Sequence, residues 1–286
     1  MIICGIDMAI LIEFGYLPEG FEGFARQPGR RTVEGEIIEV LIRTGAVHSI
    51  EEAGFKSSSR TDRGVGAFQN YFMINSVVPG DELLRRLNSM IEGAYFYGVG
   101  DVDKNFNPRH AVFREYVYYI DGSVVGRSMV RFKEALKLFT GTHSFYSFTK
   151  KDRTKNEDYF RAEHKIDKIT VEVSELWGRD MVEVTFRAEF FLYGQIRKML
   201  KAALLAAKRK IGMTELEKAL EPDSGTGRFP SHPPGGLFLK RVKLPDEVED
   251  GIKRYDIPGE GIEKMMAEAA VELRALSAFR GFTGTQ

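Results

Sequence analysis

The sequence predicts an α+β protein built as two halves of similar element order. Three observations lead there. Apolar and helical segments over residues 3–102 follow the order strand, helix, strand, strand, helix, strand, which is the split βαβ or ferredoxin-like unit. Residues 112–242 run through a second α+β series, with no repeat of the sequence itself. The 286 residues are 43% hydrophobic and 12% aromatic, which is enough for a core and too apolar for a mainly disordered chain.

Residues 3–16 are apolar with few breaks and read as a strand, followed by a loop bearing Pro18, Gly20, Gly23, Pro28 and Gly29. Thr32 is placed to cap a helix running to about Thr44. Glu34 and Glu36 suit its positive end, and Val33, Ile37, Val40 and Leu41 form its apolar stripe. Residues 53–58 and 67–75 read as strands. Residues 79–91 read as a helix with Leu83, Leu84, Leu87 and Ile91 on one side, and 94–102 as a strand. In the second half, 112–120 is β-rich and 128–139 is helical, with Phe132, Ala135, Leu136 and Phe139 in phase. Residues 165–176 and 181–191 alternate as strands around the hairpin turn Trp177-Gly-Arg-Asp180. A helix over 196–207 and a strand over 237–242 close the series.

Lys plus Arg and Asp plus Glu both total 41, so the global charge points neither to nucleic acid nor to a membrane. The charge is unevenly placed. Residues 244–286 carry nine acids and five bases, whereas Arg197, Lys198, Lys201, Lys208, Arg209 and Lys210 form a stretch without an acid. Lys150, Lys151, Arg153 and Lys155 form a second basic group just after Phe145, Tyr146 and Phe148. Bases beside exposed aromatics suit phosphates and unstacked bases, although a solvated face is the blander reading. Residues 262–279 read as a helix whose stripe of Ile262, Met266, Ala269, Leu273 and Leu276 suits docking on the parent domain, the alternative being a partner or dimer helix.

Cys4 is the one cysteine, which excludes a disulfide framework and a thiolate zinc cluster; five His without ligand spacing give no metal site. The first residues lack a basic leader and carry Asp7 and Glu13, and no stretch is long and apolar enough to span a membrane, so the expectation is a soluble cytoplasmic protein. Asp101-Val-Asp-Lys-Asn-Phe-Asn107 imitates a calcium loop at three positions, but Phe106 stands where the sharp turn needs Gly and Val112 where a bidentate Glu belongs. Neither a phosphate-binding glycine loop nor a zinc-protease motif is present.

One carboxylate stands out. In Ser57-Ser-Ser-Arg-Thr-Asp-Arg-Gly-Val-Gly66, Asp62 is flanked by Arg60 and Arg63, and a carboxylate held near cations stays ionised and can serve as nucleophile or base. Taken alone, the segment is also ordinary turn chemistry.

Six motifs in order change that weighting. Arg60-Thr-Asp-Arg-Gly-Val65 resembles the catalytic motif of the TruA family of tRNA pseudouridine synthases. Gly23-Phe-Ala-Arg-Gln-Pro28, Phe113-Arg-Glu-Tyr-Val-Tyr118, Gly141-Thr-His-Ser-Phe-Tyr-Ser-Phe148, Phe191-Leu-Tyr-Gly-Gln-Ile-Arg197 and Pro233-Pro-Gly-Gly-Leu237 resemble further motifs of that family. Gly66, where bacterial members commonly carry His, and Ala25, where Gln is common, depart from the pattern and suggest an archaeal or eukaryotic-like branch.

The resemblance implies the pseudouridine-synthase fold: two ferredoxin-like halves sharing a mixed or antiparallel sheet, a central basic cleft and a C-terminal helical extension. Its divisions are 1–108 with the catalytic Asp, 109–243 with the remaining active-site and tRNA-binding residues, and the acidic 244–286. It implies isomerisation of uridine to pseudouridine in tRNA, in the anticodon stem-loop, without a cofactor, since no net redox change or group transfer occurs. Asp62 would act at the ribose. Tyr116 would stack on uracil and take the C5 proton, and Arg197 would pair with Asp62. Arg60 would enter the stack when the uridine flips out, with Arg26, Gln27, His143 and Phe145 as further RNA-binding residues. Lys150, Lys151, Arg153 and Lys201 are candidates for the anticodon-arm backbone. Bacterial relatives are homodimers, which extends the expectation of a dimer to this chain. The competing readings are a non-catalytic ferredoxin-like RNA-binding protein and, last, a small-molecule hydrolase, for which no second carboxylate sits in a comparable motif.

Overall fold

A computed structural model describes residues 8–150, 163–176, 179–222 and 227–255. The chain divides into two compact units, one of residues up to 112 together with those from 238 onward, the other of 113–237.

The first unit opens with β1 (Met8–Tyr16), α1 (Val33–Arg43), α2 (Ile50–Ala53), β2 (Lys56–Ser57), β3 (Gly66–Ile74), α3 (Gly80–Met90) and β4 (Ala94–Asp103). β1 lies between β3 and β4, antiparallel to both, and β2 pairs antiparallel with β3. The order β4-β1-β3-β2 is that of the split βαβ unit expected. Thr32 caps α1, its hydroxyl accepting from Gly35 N–H, and Val33, Ile37, Val40 and Leu41 are buried as the periodicity requires. On α3, Leu83, Leu84 and Leu87 are buried. Phe14 sits at the centre of the core, stacked on Phe96 at 5.5 Å and edge-on to Phe72 at 5.3 Å.

Residues 53–58 were expected to be extended, and most are not. The Ser49 hydroxyl accepts from Glu52 N–H, which starts the one-turn α2, and Gly54 ends it in the left-handed region at φ 56°. Only Lys56 and Ser57 remain to pair. Local capping outweighs β propensity here.

The second unit contains β5 (Phe113–Asp121), α4 (Gly122–Val125), α5 (Met129–Lys137), β6 (Gly141–Ser144), a 3₁₀ turn (Tyr146–Phe148), β7 (Glu163–Ile166), β8 (Lys168–Leu176), β9 (Arg179–Ala188), α6 (Gln195–Ala207) and α7 (Met213–Lys218). β9 is antiparallel to β5 and to β8, and its Val182, Val184, Phe186 and Ala188 are fully buried. α5 packs on α6. The run 165–176 was expected to be one strand and is two. Asp167 N–H donates to Arg187 O at 2.9 Å, and the chain before it turns away to pair β7 with β6 in a separate two-stranded sheet. The register of β8 and β9 closes on Leu176 and Arg179. The remainder of the expected hairpin turn, 177–178, lies outside the described residues, as does the expected helix 262–279.

The chain then returns to the first unit as β10 (Leu237–Lys243), α8 (Asp246–Glu249) and β11 (Lys253–Arg254). β10 runs parallel to the start of β3, Phe238 opposite Gly66 and Leu239 opposite Ala67, while β11 pairs with β4. A polar network lies on one face of this sheet. Glu13, only 2% exposed, accepts from Gln69 Nε2 at 2.6 Å and from Arg254 Nε at 2.8 Å, and Gln69 Oε1 accepts from Val242 N–H. Burial and the charge of Glu13 push the Tyr71 phenol far above its usual range.

Candidate active site

In the first unit the expected catalytic loop joins β2 to β3. Val65 N–H donates to Asp62 O at 3.1 Å and Gly64 takes φ 77°, so residues 62–65 form a tight turn that needs glycine at its third position. The segment leading into the turn is anchored at several points. Upstream, the Ser58 hydroxyl donates to Asn70 Oδ1 at 2.6 Å, and Asn70 Nδ2 donates to Ser59 O. Thr61 is buried. Its carbonyl accepts from Phe24 N–H at 3.2 Å, and its hydroxyl shares a 2.8 Å hydrogen bond with the Tyr16 phenol. Asp62 itself is half-buried.

Two motifs distant in sequence therefore touch. Gly23 sits at φ 105°, and a Cβ there would lie 3.1 Å from the Arg63 amide nitrogen. Arg63 reaches back to Glu22 at 2.9 Å, a carboxylate shared with Arg30. Arg26 is exposed and pairs weakly with Glu34 at 3.4 Å, and Gln27, also exposed, donates to Glu22 O. Arg60 is exposed at the mouth of the loop.

In the second unit, Tyr116 lies on β5 opposite Phe186. It is half-buried, and the edge of its ring meets Phe191 at 5.3 Å. Two residues on, the buried Tyr118 hydroxyl is 2.8 Å from His232 Nδ1 and also bonds Pro233 O. Arg197, in the first turn of α6, is locked to the same segment twice: its Nε donates to His232 O at 2.8 Å, and His232 N–H donates to Arg197 O at 2.9 Å. Arg114 is buried beneath the start of β5, bonded to Glu189 O, and burial lowers its pKa. The motif around Tyr116, the start of α6 and the Pro-Pro segment thus form one hydrogen-bonded piece.

The other RNA-binding expectations divide. His143 is half-buried on β6 and donates to Thr140 O at 3.1 Å. Phe145 corrects the premise of exposed aromatics: it is 0% exposed, packed edge-on against Phe148 and 4.6 Å from His164. Phe148 is equally buried and stacks on Phe229 at 4.9 Å. These rings are core, packed with the buried Phe139 and Ile166 beside the two-stranded β6–β7 sheet. Lys150 is half-buried, with its ammonium 4.7 Å from the centre of the Tyr193 ring, and Lys201 is half-buried on α6. Lys151 and Arg153 lie outside the described residues. Sequence reasoning missed Tyr118, His232 and Arg228, while Lys198 stood only as one of the basic residues of the stretch without an acid. Tyr118 stood inside a quoted motif and His232 directly before one, whereas Arg228 carried no signal.

Residues 135–245 match a protein-family model described as tRNA pseudouridine synthase. The chain is 34% identical over 256 residues to tRNA pseudouridine synthase A of Thermococcus kodakarensis, covering 86% of this chain and 90% of that protein. It is 30% identical over 269 residues to the protein of the same name from Pyrococcus abyssi, covering 93% and 90%, and 30% identical over 250 residues to that from Archaeoglobus fulgidus, covering 87% and 88%.

Proposed function

The chain belongs to the tRNA pseudouridine synthase A family, and on that premise we propose that Asp62 drives the isomerisation of a uridine in the anticodon stem-loop of tRNA. The reaction is uridine to pseudouridine, and the observation that carries it is the identity to the archaeal synthases over nearly the whole length of both chains. The bond from C1′ to N1 breaks, the uracil turns, C5 bonds to C1′, the proton on C5 leaves and N1 gains one. Atoms and electrons balance without an added reactant.

The site assignment rests on different support. Asp62 is the acid of a turn whose lead-in, Ser58 to Thr61, is held by buried hydrogen bonds, so its backbone is placed with little freedom to lose, which favours attack on C1′ or abstraction at C2′. Arg197 has its guanidinium plane fixed by His232 O, as a residue that aims and neutralises a carboxylate requires. Tyr116 presents a ring braced by Phe191 for stacking on the base, and a phenol oxygen that as phenolate receives the C5 proton. Arg60 fills the stack vacated by the flipped uridine. The protein acts as a homodimer in the cytoplasm; among the described residues no helix is long and apolar enough to cross a membrane.

The deciding experiment maps pseudouridine in tRNA at single-nucleotide resolution with wild-type protein and with Asp62→Asn. Signal on the 3′ side of the anticodon stem-loop that vanishes in a variant still able to bind tRNA supports the reading. Undiminished product from Asp62→Asn removes Asp62 from the chemistry, and signal elsewhere in the RNA corrects the target. Sedimentation of the purified protein tests the dimer.

A further inference from the structure

The first turn of α6 contains no acid, and Lys198 stands there, where the helix dipole disfavours a cation. Lys198 is buried, and its Nζ donates to Phe229 O at 2.6 Å. Burial first, then the charges of Arg228 and Lys150, hold its ammonium below the usual lysine range. Arg228 is more anomalous. Its Nε and Nη2 are shielded from solvent and have no hydrogen-bond acceptor among the described residues, while its guanidinium carbon lies over the Tyr146 ring, 4.6 Å from the centre. Lys150 closes the third side, its backbone N–H held by Tyr193 O at 2.9 Å. Among the described residues no carboxylate pairs with Lys150, Lys198 or Arg228. The scaffold is rigid: Phe229 N–H donates to Ser147 O at 2.9 Å, and Phe229 stacks on Phe148.

Three cations drawn together without an acid, one offering the side-on fork of its guanidinium to nothing, are destabilising unless an anion completes them. The missing partner must accept from several directions and carry charge. A tetrahedral phosphoryl group does both, and the Nε and Nη2 edge of an arginine matches two of its oxygens. We propose that Lys150, Lys198 and Arg228 form a binding site for one backbone phosphodiester of the RNA substrate. The inference rests on the reading of the chain as a tRNA synthase, and it gives the Gly141–Phe148 motif a role: its phenylalanines build the wall that carries the cations, and Tyr146 alone faces them.

The test measures tRNA affinity against salt concentration for wild type, Arg228→Gln and Lys150→Gln, beside the thermal shift given by inorganic phosphate. The site predicts that Arg228→Gln weakens tRNA binding about ten-fold and makes the slope of affinity on salt shallower by about one phosphate contact. Lys150→Gln shifts both in the same direction, which keeps the test decisive should Arg228→Gln fail to fold. Unchanged slopes in a folded variant overturn the proposal. A phosphate-induced rise in melting temperature that depends on Arg228, with an unchanged tRNA slope, assigns the site to free phosphate and overturns the phosphodiester contact. Failure of the parent reading shows separately, as wild-type protein that forms no pseudouridine. Loss of RNA affinity in Arg228→Gln then still upholds the site.

Discussion

The Tyr16 phenol lies 2.8 Å from the Thr61 hydroxyl, both buried, and this bond ties the residue beside Asp62 to the last residue of the central strand. It links the segment leading into the Asp62 turn to the sheet of the first unit.

Tyr16→Phe removes that link and leaves the Thr61 hydroxyl buried with one partner fewer. The expected cost is about 1 kcal/mol of stability, read from denaturant midpoints at constant slope. Turnover on tRNA should fall roughly ten-fold or more, because a small displacement of the carboxylate is enough to spoil attack geometry. The Michaelis constant for tRNA should change little, since the phenol is buried away from the RNA. A variant with normal turnover would show that the turn is positioned by its other anchors.

Gly66 has no room for a side chain. A Cβ there would lie 2.7 Å from two carbons of the Phe238 ring and 3.0 Å from Pro18 Cδ. The Phe238 ring is itself stacked on Phe68 at 4.8 Å. Gly66→Ala should cost roughly 1–3 kcal/mol through overpacking. Phe238→Leu should recover part of that loss in the double variant, giving a non-zero coupling in a double-mutant cycle. Strict additivity would mean that the two positions do not meet.

The elements legible in the sequence were those whose burial is decided locally. The α1 stripe, the leucines of α3 and the alternating residues of β9 each follow a simple period, and each is buried in phase. The elements missed depend on single contacts. Ser49 and Gly54 define the turn of α2, which ends inside an expected strand and leaves only Lys56 and Ser57 of it, and Asp167 breaks one strand into two. The candidate turn was legible as Asp62 between two arginines, but its anchors were not: Tyr16, Phe24 and Asn70 lie up to 45 positions away and carry no local mark of contact with it. Aromatic residues beside bases misled for the same reason, since composition cannot say that Phe145 turns inward while Tyr146 does not.

His164 should make stability depend on pH. It is buried against Phe145 and Phe190, its Nε2 donates to Gln195 Oε1 at 3.0 Å, and burial lowers its pKa below 6.5. The unfolded chain therefore binds the proton more readily than the folded one. Stability is full above the unfolded value and is lost as pH falls through 6.5 toward the folded value. Denaturant midpoints across that range should decline toward acid in wild type, and less so in His164→Phe, which has no proton to take up. Equal declines in both would place the acid sensitivity elsewhere.

Arg197→Lys separates charge from geometry. Lysine keeps the positive charge but has no planar fork, so it loses the Nε bond to His232 O that fixes the guanidinium. If Arg197 aims Asp62, turnover should fall about 100-fold or more while tRNA affinity changes only a few-fold, because the net charge presented to the RNA is unaltered. If Arg197 instead holds a phosphate, the same substitution should weaken binding and leave turnover at saturating tRNA near normal. His232→Ala provides the control. It retains the backbone carbonyl that receives Arg197 but removes the ring bonded to Tyr118, so it should cost stability, with less effect on turnover than Arg197→Lys. A larger loss of turnover in His232→Ala than in Arg197→Lys would make the Tyr118–His232 bond, rather than the guanidinium, the positioning element.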